Sequence, residues 1–191
     1  MKIGIVINFV AFQLIWLLCV FGAAWGYPWI GPVAVTAWLL VHLKLHRAIA
    51  RQELMLAVFA GLMGYGLDSI LVVLDIIRFP APAQLGYPST LWMVSLWINL
   101  ALTIRHSLAW LNHHYVWISL FGGVGGALAY WAGERIGAIS FNDLSLGLIM
   151  VFSIWFFALP VVYLVSNWLE QRASNEHDQL KQPMKESRNN A

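Results

Sequence analysis

The sequence predicts an all-α polytopic membrane protein, with six transmembrane helices in one compact bundle. Three observations carry this. Of 191 residues, 60% are hydrophobic and only 10% charged, and the mean hydropathy is +0.71, whereas soluble domains carry roughly 25% charged residues. Apolar runs recur at about the 20-residue length that crosses a hydrocarbon core some 30 Å thick. The basic residues are also segregated between the loops: nine fall on one side of the predicted spans and two on the other.

The first span is placed at 3–24. Lys2 ahead of an apolar run and Ala23-Ala24 behind it resemble a signal peptide. The run is longer than a usual signal core and five more follow, so it reads as a retained span. Trp25, Tyr27 and Trp29 then form an interfacial aromatic belt. The second span is 30–46, with Pro32 near its start, where proline is tolerated. The basic loop HLKLHRAIARQE leads to the third, 54–77. The proline-rich loop APAQLGYPST cannot be helical throughout. The fourth span is 91–111, the fifth 115–133, and the sixth 144–168 with a kink expected at Pro160. These spans make one domain, 1–169. The polar tail, 170–191, buries too little to fold alone and is expected to be disordered.

Orientation follows from Lys2, Lys44, Arg47, Arg51, Arg105, Arg172, Lys181, Lys185 and Arg188 on one side against Arg78 and Arg135 on the other. The positive-inside rule puts both termini in the cytoplasm, and a bacterial inner membrane is the simplest placement. Cys19 is the single cysteine, so no intrachain disulfide can form. No dense basic patch or RNA motif points to nucleic acid.

The chemistry centres on Gly61–Pro80, where Asp68 interrupts a membrane-length run. An ionised carboxylate in hydrocarbon costs on the order of 2.5–3.5 kcal/mol, so Asp68 must face protein. Ala57, Gly61, Gly64, Asp68 and Asp75 share one helical stripe, whose small residues admit a neighbouring backbone. At about 1.5 Å of rise per residue, Asp68, Ser95, Asn99, Tyr130 and Thr36 reach a common depth in the outer half of the bundle. These five are the expected binding pocket. The alternative is a packing network that merely satisfies Asp68. Asp75, Arg78, Glu134, Arg135 and Asp143 fall at the outer rim and read as solvated interfacial charges.

The glycine pairs Gly122/Gly126 and Gly133/Gly137 of FGGVGGALAYWAGERIGA read as helix-packing notches. A phosphate loop is excluded, because no GK[ST] follows. No metal site or cofactor is expected. The nearest approach to a ligand set is His42 and His46, four apart, with His106 at comparable depth. With no HExxH, no CxxC and no acid visible on the inner half of any span, headgroup contacts are the preferred reading of these histidines. There is no GxSxG, and His106 lies about 16 Å below Ser95 along its helix, so no nucleophile triad can be assembled.

The segments FQLIWLLCVFGA, LMGYGLDSILVVLDIIRFP, LWMVSLWINLALTIRHSLAWL and GGVGGALAYWAGERIGAI together resemble a bacterial inner-membrane family catalogued as domain of unknown function twenty-eight seventy-eight. The resemblance covers about 8–168. Its repeated elements fall here on Asp68, Trp92, Trp97, Tyr130 and Gly133. It implies a compact multi-span membrane protein with no assigned activity. It also implies a lean toward lipid, because members sit among genes for membrane-lipid modification.

The expected function is to bind or handle a lipid or small molecule in a polar pocket around Asp68, with membrane lipids as partners. The rivals are an intramembrane lipid-modifying enzyme, a proton-coupled transporter using Asp68, and a structural or assembly subunit that oligomerises through its glycine faces. The absence of a visible inverted repeat argues against the transporter.

Overall fold

A computed structural model describes the backbone of residues 2–189 and the side chains of residues 3–176. Among the described residues there are six α-helices: α1 (Lys2–Ala24), α2 (Ile30–Leu45), α3 (Ala50–Val73), α4 (Leu91–Ala101), α5 (Tyr115–Ile136) and α6 (Leu144–Asn189). Four stretches are long and apolar enough to cross a membrane: Ile3–Ala24, Arg47–Val73, Tyr115–Ile136 and Leu144–Glu176. The helices α2 and α4 are apolar but shorter. The chain is therefore a predominantly helical protein of membrane type, with four span-length helices and two short ones where six full spans were expected.

The helices pack as interlocked pairs. The longest seam joins α5 to α6; α3 packs on α4, α1 on α2, and α4 also meets α1 and α2. Two apolar clusters result. One, at the end bearing the aromatic belt, gathers Cys19, Val20, Leu71, Ile77, Trp92, Tyr130 and Val151. The other, at the basic end, gathers Leu56, Ala60, Ala101, Ile104, Leu159 and Tyr163. The exterior is also apolar: Leu40, Leu62, Val116, Ile149 and Phe157 are among many large exposed side chains. That is the pattern of a protein whose solvent is hydrocarbon.

Several boundaries differ from expectation for physical reasons. The third helix starts four residues before Leu54 and stops at Val73. Asp75 lies beyond it with φ +58°, so it does not continue the Asp68 stripe. It instead pairs with Arg78 at the surface, at 2.6 and 2.5 Å. Next, β1 (Ile77–Arg78) pairs antiparallel with β2 (Ser140–Phe141), with Ile77 opposite Phe141. This two-residue ladder ties together the two loops at the belt end. The fifth helix ends at Gly137, whose φ of +89° closes the left-handed cap that glycine favours. Gly137 is therefore a stop signal and does not form a packing pair with Gly133. The sixth helix passes through Pro160 and Trp168 without interruption. The segment from Glu170, expected to be disordered, continues as helix through Glu176, which accepts from Arg51 and Arg172. The last two residues of that expected tail lie outside the described residues.

The largest departure is the fourth span. It is α-helical only to Ala101 and then tightens into turns through Leu108. Its amides bond three residues back, as in Thr103 to Leu100 and His106 to Thr103. Asn8 of α1 holds the break: its Nδ2 donates to Leu102 O at 2.9 Å, and its Oδ1 accepts from Ser107 N and Oγ at 3.3 and 2.7 Å. Asn8 is buried, as are Leu102, Thr103, Ile104 and Ser107. Irregular backbone at membrane depth is tolerated where protein covers it in this way.

Candidate functional site

Asp68 is 1% exposed and points into the bundle. Trp97 of α4 donates its Nε1–H to Asp68 Oδ2 at 3.0 Å, and Tyr130 of α5 donates its hydroxyl to Oδ1. Local sequence explains how both donors reach the acid. Gly64, one turn before Asp68, leaves the space that the Trp97 ring fills. Gly126, one turn before Tyr130, does the same for Trp155 of α6. The two indoles stack at 4.0 Å between ring centroids, 10° from parallel. From α3 to α5 the order is therefore glycine backbone, Trp97, Trp155, glycine backbone, with Asp68 and Tyr130 each one turn beyond its glycine. Gly122 is similarly closed by Trp155 and Leu159, as expected of a packing notch.

The other expected pocket residues go elsewhere. Ser95 is buried, and its hydroxyl bonds back to Leu91 O at 2.8 Å. Asn99 is buried and donates to Phe12 O of α1 at 3.0 Å, clamping α4 to α1. Thr36 is exposed and bonds Pro32 O at 2.7 Å. Of the five, only Asp68 and Tyr130 are joined by a hydrogen bond. At the rim, read as solvated interfacial charges, Asp75 takes Arg78, Glu134 accepts from Phe141 N at 3.3 Å, and Arg135 lies over Trp131. The Arg78 guanidinium holds the Asp75 carboxyl below the usual carboxylate range.

Trp97 and Tyr130 have a second face. With Trp92, Met93, Leu96 and Trp155 they line a cavity of about 490 Å³ between α1, α4, α5 and α6. Phe9, Phe12, Gln13 and Trp16 close it from α1, and Gly125, Ala129, Ala132 and Gly133 from α5. The floor is Thr103 and Ser107 of the broken fourth span. Phe9, Gln13, Gly125 and Leu128 are exposed, so the cavity opens sideways between α1 and α5. Asp68 does not line it; the acid fixes two of its walls.

A second cluster occupies the basic end. His42 in the last turn of α2, His46 just after it and His106 from the broken segment bring ring nitrogens within 4.8 Å of one another. Glu53, in the first turn of α3, is completely buried beside them. Its Oε2 lies 3.1 Å from His42 Nε2, and its Oε1 lies 3.4 Å from His106 Nε2 and 4.0 Å from Arg105. Burial, and then the neighbouring His106 and His42, push the His46 imidazole below its ordinary value, against the opposing pull of Glu53. Arg105 also donates to the Ser166 side chain and carbonyl at 2.8 and 2.7 Å.

The family described as Protein of unknown function (DUF2878) matches residues 5–161. The chain belongs to this family. No curated protein and no solved structure matches the chain. The family match spans both clusters and the whole lining of the cavity, from Phe9 to Leu159. It stops short of Tyr163 and Ser166, which brace the basic end of α6 against Leu108 and Arg105.

Sequence reasoning missed Glu53, Arg105 and the tryptophan pair as site residues. It set Glu53 in the loop before the third span, so no inner-half acid was seen beside the histidines. The available signal was polar density in the second half of the expected fourth span: Thr103, Arg105, His106 and Ser107 within five residues of a supposed hydrocarbon-crossing helix.

Proposed function

We propose that this protein binds one acyl chain of a membrane lipid in the cavity between α1, α4, α5 and α6. The observation that carries the reading is the cavity's shape and lining. Its wall on α1 runs from Phe9 to Val20 and its wall on α5 from Phe121 to Gly133, which is about 16–18 Å of helix. That matches one leaflet, half of a core about 30 Å thick. Its volume of about 490 Å³ falls inside the ~300–1,000 Å³ range of ligand pockets. The lining is almost wholly apolar and aromatic, with Gln13, Thr103 and Ser107 as sparse polar points. The side opening lets a lipid enter from the bilayer without passing through water.

In this reading Asp68 is a positioning residue. It holds the Trp97 indole and the Tyr130 ring at fixed angles, so the walls keep their form when the cavity changes occupant. The acid need not meet the lipid.

The test uses a fatty-acid analogue carrying a photoreactive group on its chain, incorporated by the purified protein in nanodiscs. Crosslinks concentrated on Phe12, Trp16, Ala129 and Ala132 support the reading. Crosslinks spread evenly over outward residues such as Leu40, Leu62 and Phe157 would show ordinary bilayer contact and remove it.

A further inference from the structure

The histidine cluster at the basic end shares no residue with the acyl-chain cavity, and its role is independent of whether a lipid binds there. We propose that His42, His46 and His106 bind a divalent transition-metal ion, zinc by preference, with Glu53 as the carboxylate that orients the imidazoles and balances the cation.

Geometry comes first. Two segments far apart in sequence deliver the ligands: the end of α2 with the residue that caps it, and the irregular segment after α4. Their rings lie 4.2, 4.6 and 4.7 Å apart, centroid to centroid. Zinc–nitrogen bonds of 2.0–2.1 Å place tetrahedral ligand atoms about 3.3 Å apart. The present nitrogen separations of up to 4.8 Å close to that value by side-chain rotation of the half-buried His46 and His106.

Glu53 is the second, independent observation. A fully buried carboxylate needs partners, and this one is only partly supplied. Its Oε1 and the buried His106 Nε2 face each other at 3.4 Å, within ion-pair distance but without hydrogen-bond geometry. A cation held on the other ring nitrogens leaves the Nε2–H groups of His42 and His106 turned to Glu53, whose carboxylate accepts from them and balances the charge. Carboxylates placed against metal-binding histidines do this generally, fixing ring orientation and raising ligand basicity.

The donor set narrows the choice to transition metals. Calcium and magnesium take oxygen ligands, whereas imidazole suits zinc, copper, iron and nickel. Three protein ligands leave a fourth position, as in zinc sites that bind water or substrate. Arg105, 4.0 Å from Glu53, also lines a cavity of about 630 Å³ together with Gln52, Asn112, Ser166 and Asn167.

The experiment strips full-length protein, purified in detergent without a histidine tag, using a chelator. The protein is then loaded with Zn²⁺ or Co²⁺ and read by elemental analysis and the cobalt visible spectrum. The expected result is about one equivalent, with the intense bands of a tetrahedral cobalt site. His46→Gln tests the ligand with least risk to folding, because His46 is half-buried and its ring makes no hydrogen bond among the described residues; it should weaken binding at least tenfold. Glu53→Gln should weaken it about 10–100-fold while the tetrahedral spectrum persists, which a merely structural acid would not produce. The double variant His113→Gln/His114→Gln should bind as the wild type does. Uptake well below one equivalent by folded wild type overturns the proposal. So does equal binding by His46→Gln, or metal that follows His113 and His114.

Discussion

Replacing Asp68 with alanine tests the wall-holding role directly, and the structure sets its size. The substitution removes the acceptor of two buried donors, Trp97 Nε1–H and the Tyr130 hydroxyl. In water-soluble cores each orphaned donor costs about 1–3 kcal/mol. In membranes the reference state is inserted but separated helices that find other partners, and interhelical hydrogen bonds average about 0.6 kcal/mol, reaching about 1.7. The smaller scale applies here, so Asp68→Ala should destabilise the bundle by about 1–3 kcal/mol. Asp68→Asn keeps one carbonyl acceptor and should lose about half as much. The sharper expectation is non-additive. Tyr130→Phe in the Asp68→Ala background removes an orphaned hydroxyl, so the double variant should be no less stable than Asp68→Ala alone. The assay is reversible unfolding in mixed micelles, followed by tryptophan fluorescence and by the near-ultraviolet circular dichroism of the stacked Trp97–Trp155 pair. Wild-type stability in Asp68→Ala would rule out the wall-holding role, as would penalties for Asp68→Ala and Tyr130→Phe that simply add.

Two further substitutions probe the frame around the site. Gly64→Ala drives a methyl into the Trp97 ring and should cost about 1–3 kcal/mol as an overpacked contact. The same variant should lose the near-ultraviolet signal of the indole stack, whereas Gly66→Ala, which meets nothing nearby, should leave it intact. Asn8→Leu removes three hydrogen bonds that hold the broken fourth span. Amide exchange across Leu102–Leu108 should then accelerate while α3 and α6 keep their protection; unchanged exchange there would show that the break needs no help from α1.

Much of the fold was legible in the sequence, because some signals are local and one-dimensional. Asp68 stands out as a charge in an apolar run, and the glycines before it and before Tyr130 mark close packing at helical spacing. Depth counting brought Asp68 and Tyr130 to one level, and they do meet. The same counting failed for Thr36, Ser95 and Asn99, because rise along a helix fixes height and says nothing of rotation. Thr36 faces outward, Ser95 bonds its own helix, and Asn99 turns to Phe12. The fourth span misled for a different reason. Hydropathy continues through Leu102 and Ile104, and the break is fixed by Asn8, more than ninety residues earlier in the chain. Glu53 was hidden by its neighbours: beside Arg51 and Gln52 it reads as loop, and only the packing of α3 against His42 and His106 takes it out of water. The cavity has no local signature at all, since it is the gap that α1 and α5 leave between them.

The most direct measurement is the lipid retained by purified protein after extensive detergent exchange, counted by native mass spectrometry in wild type and in Gly125→Leu. Gly125 lines the cavity and has open space where a side chain would grow, so leucine fills the groove without disturbing the fold. Gly66→Leu, on the outer face of α3 and equally open, is the control. Lipid kept by wild type and Gly66→Leu but lost from Gly125→Leu is the expected outcome; equal retention in all three would contradict an acyl-chain site between these helices.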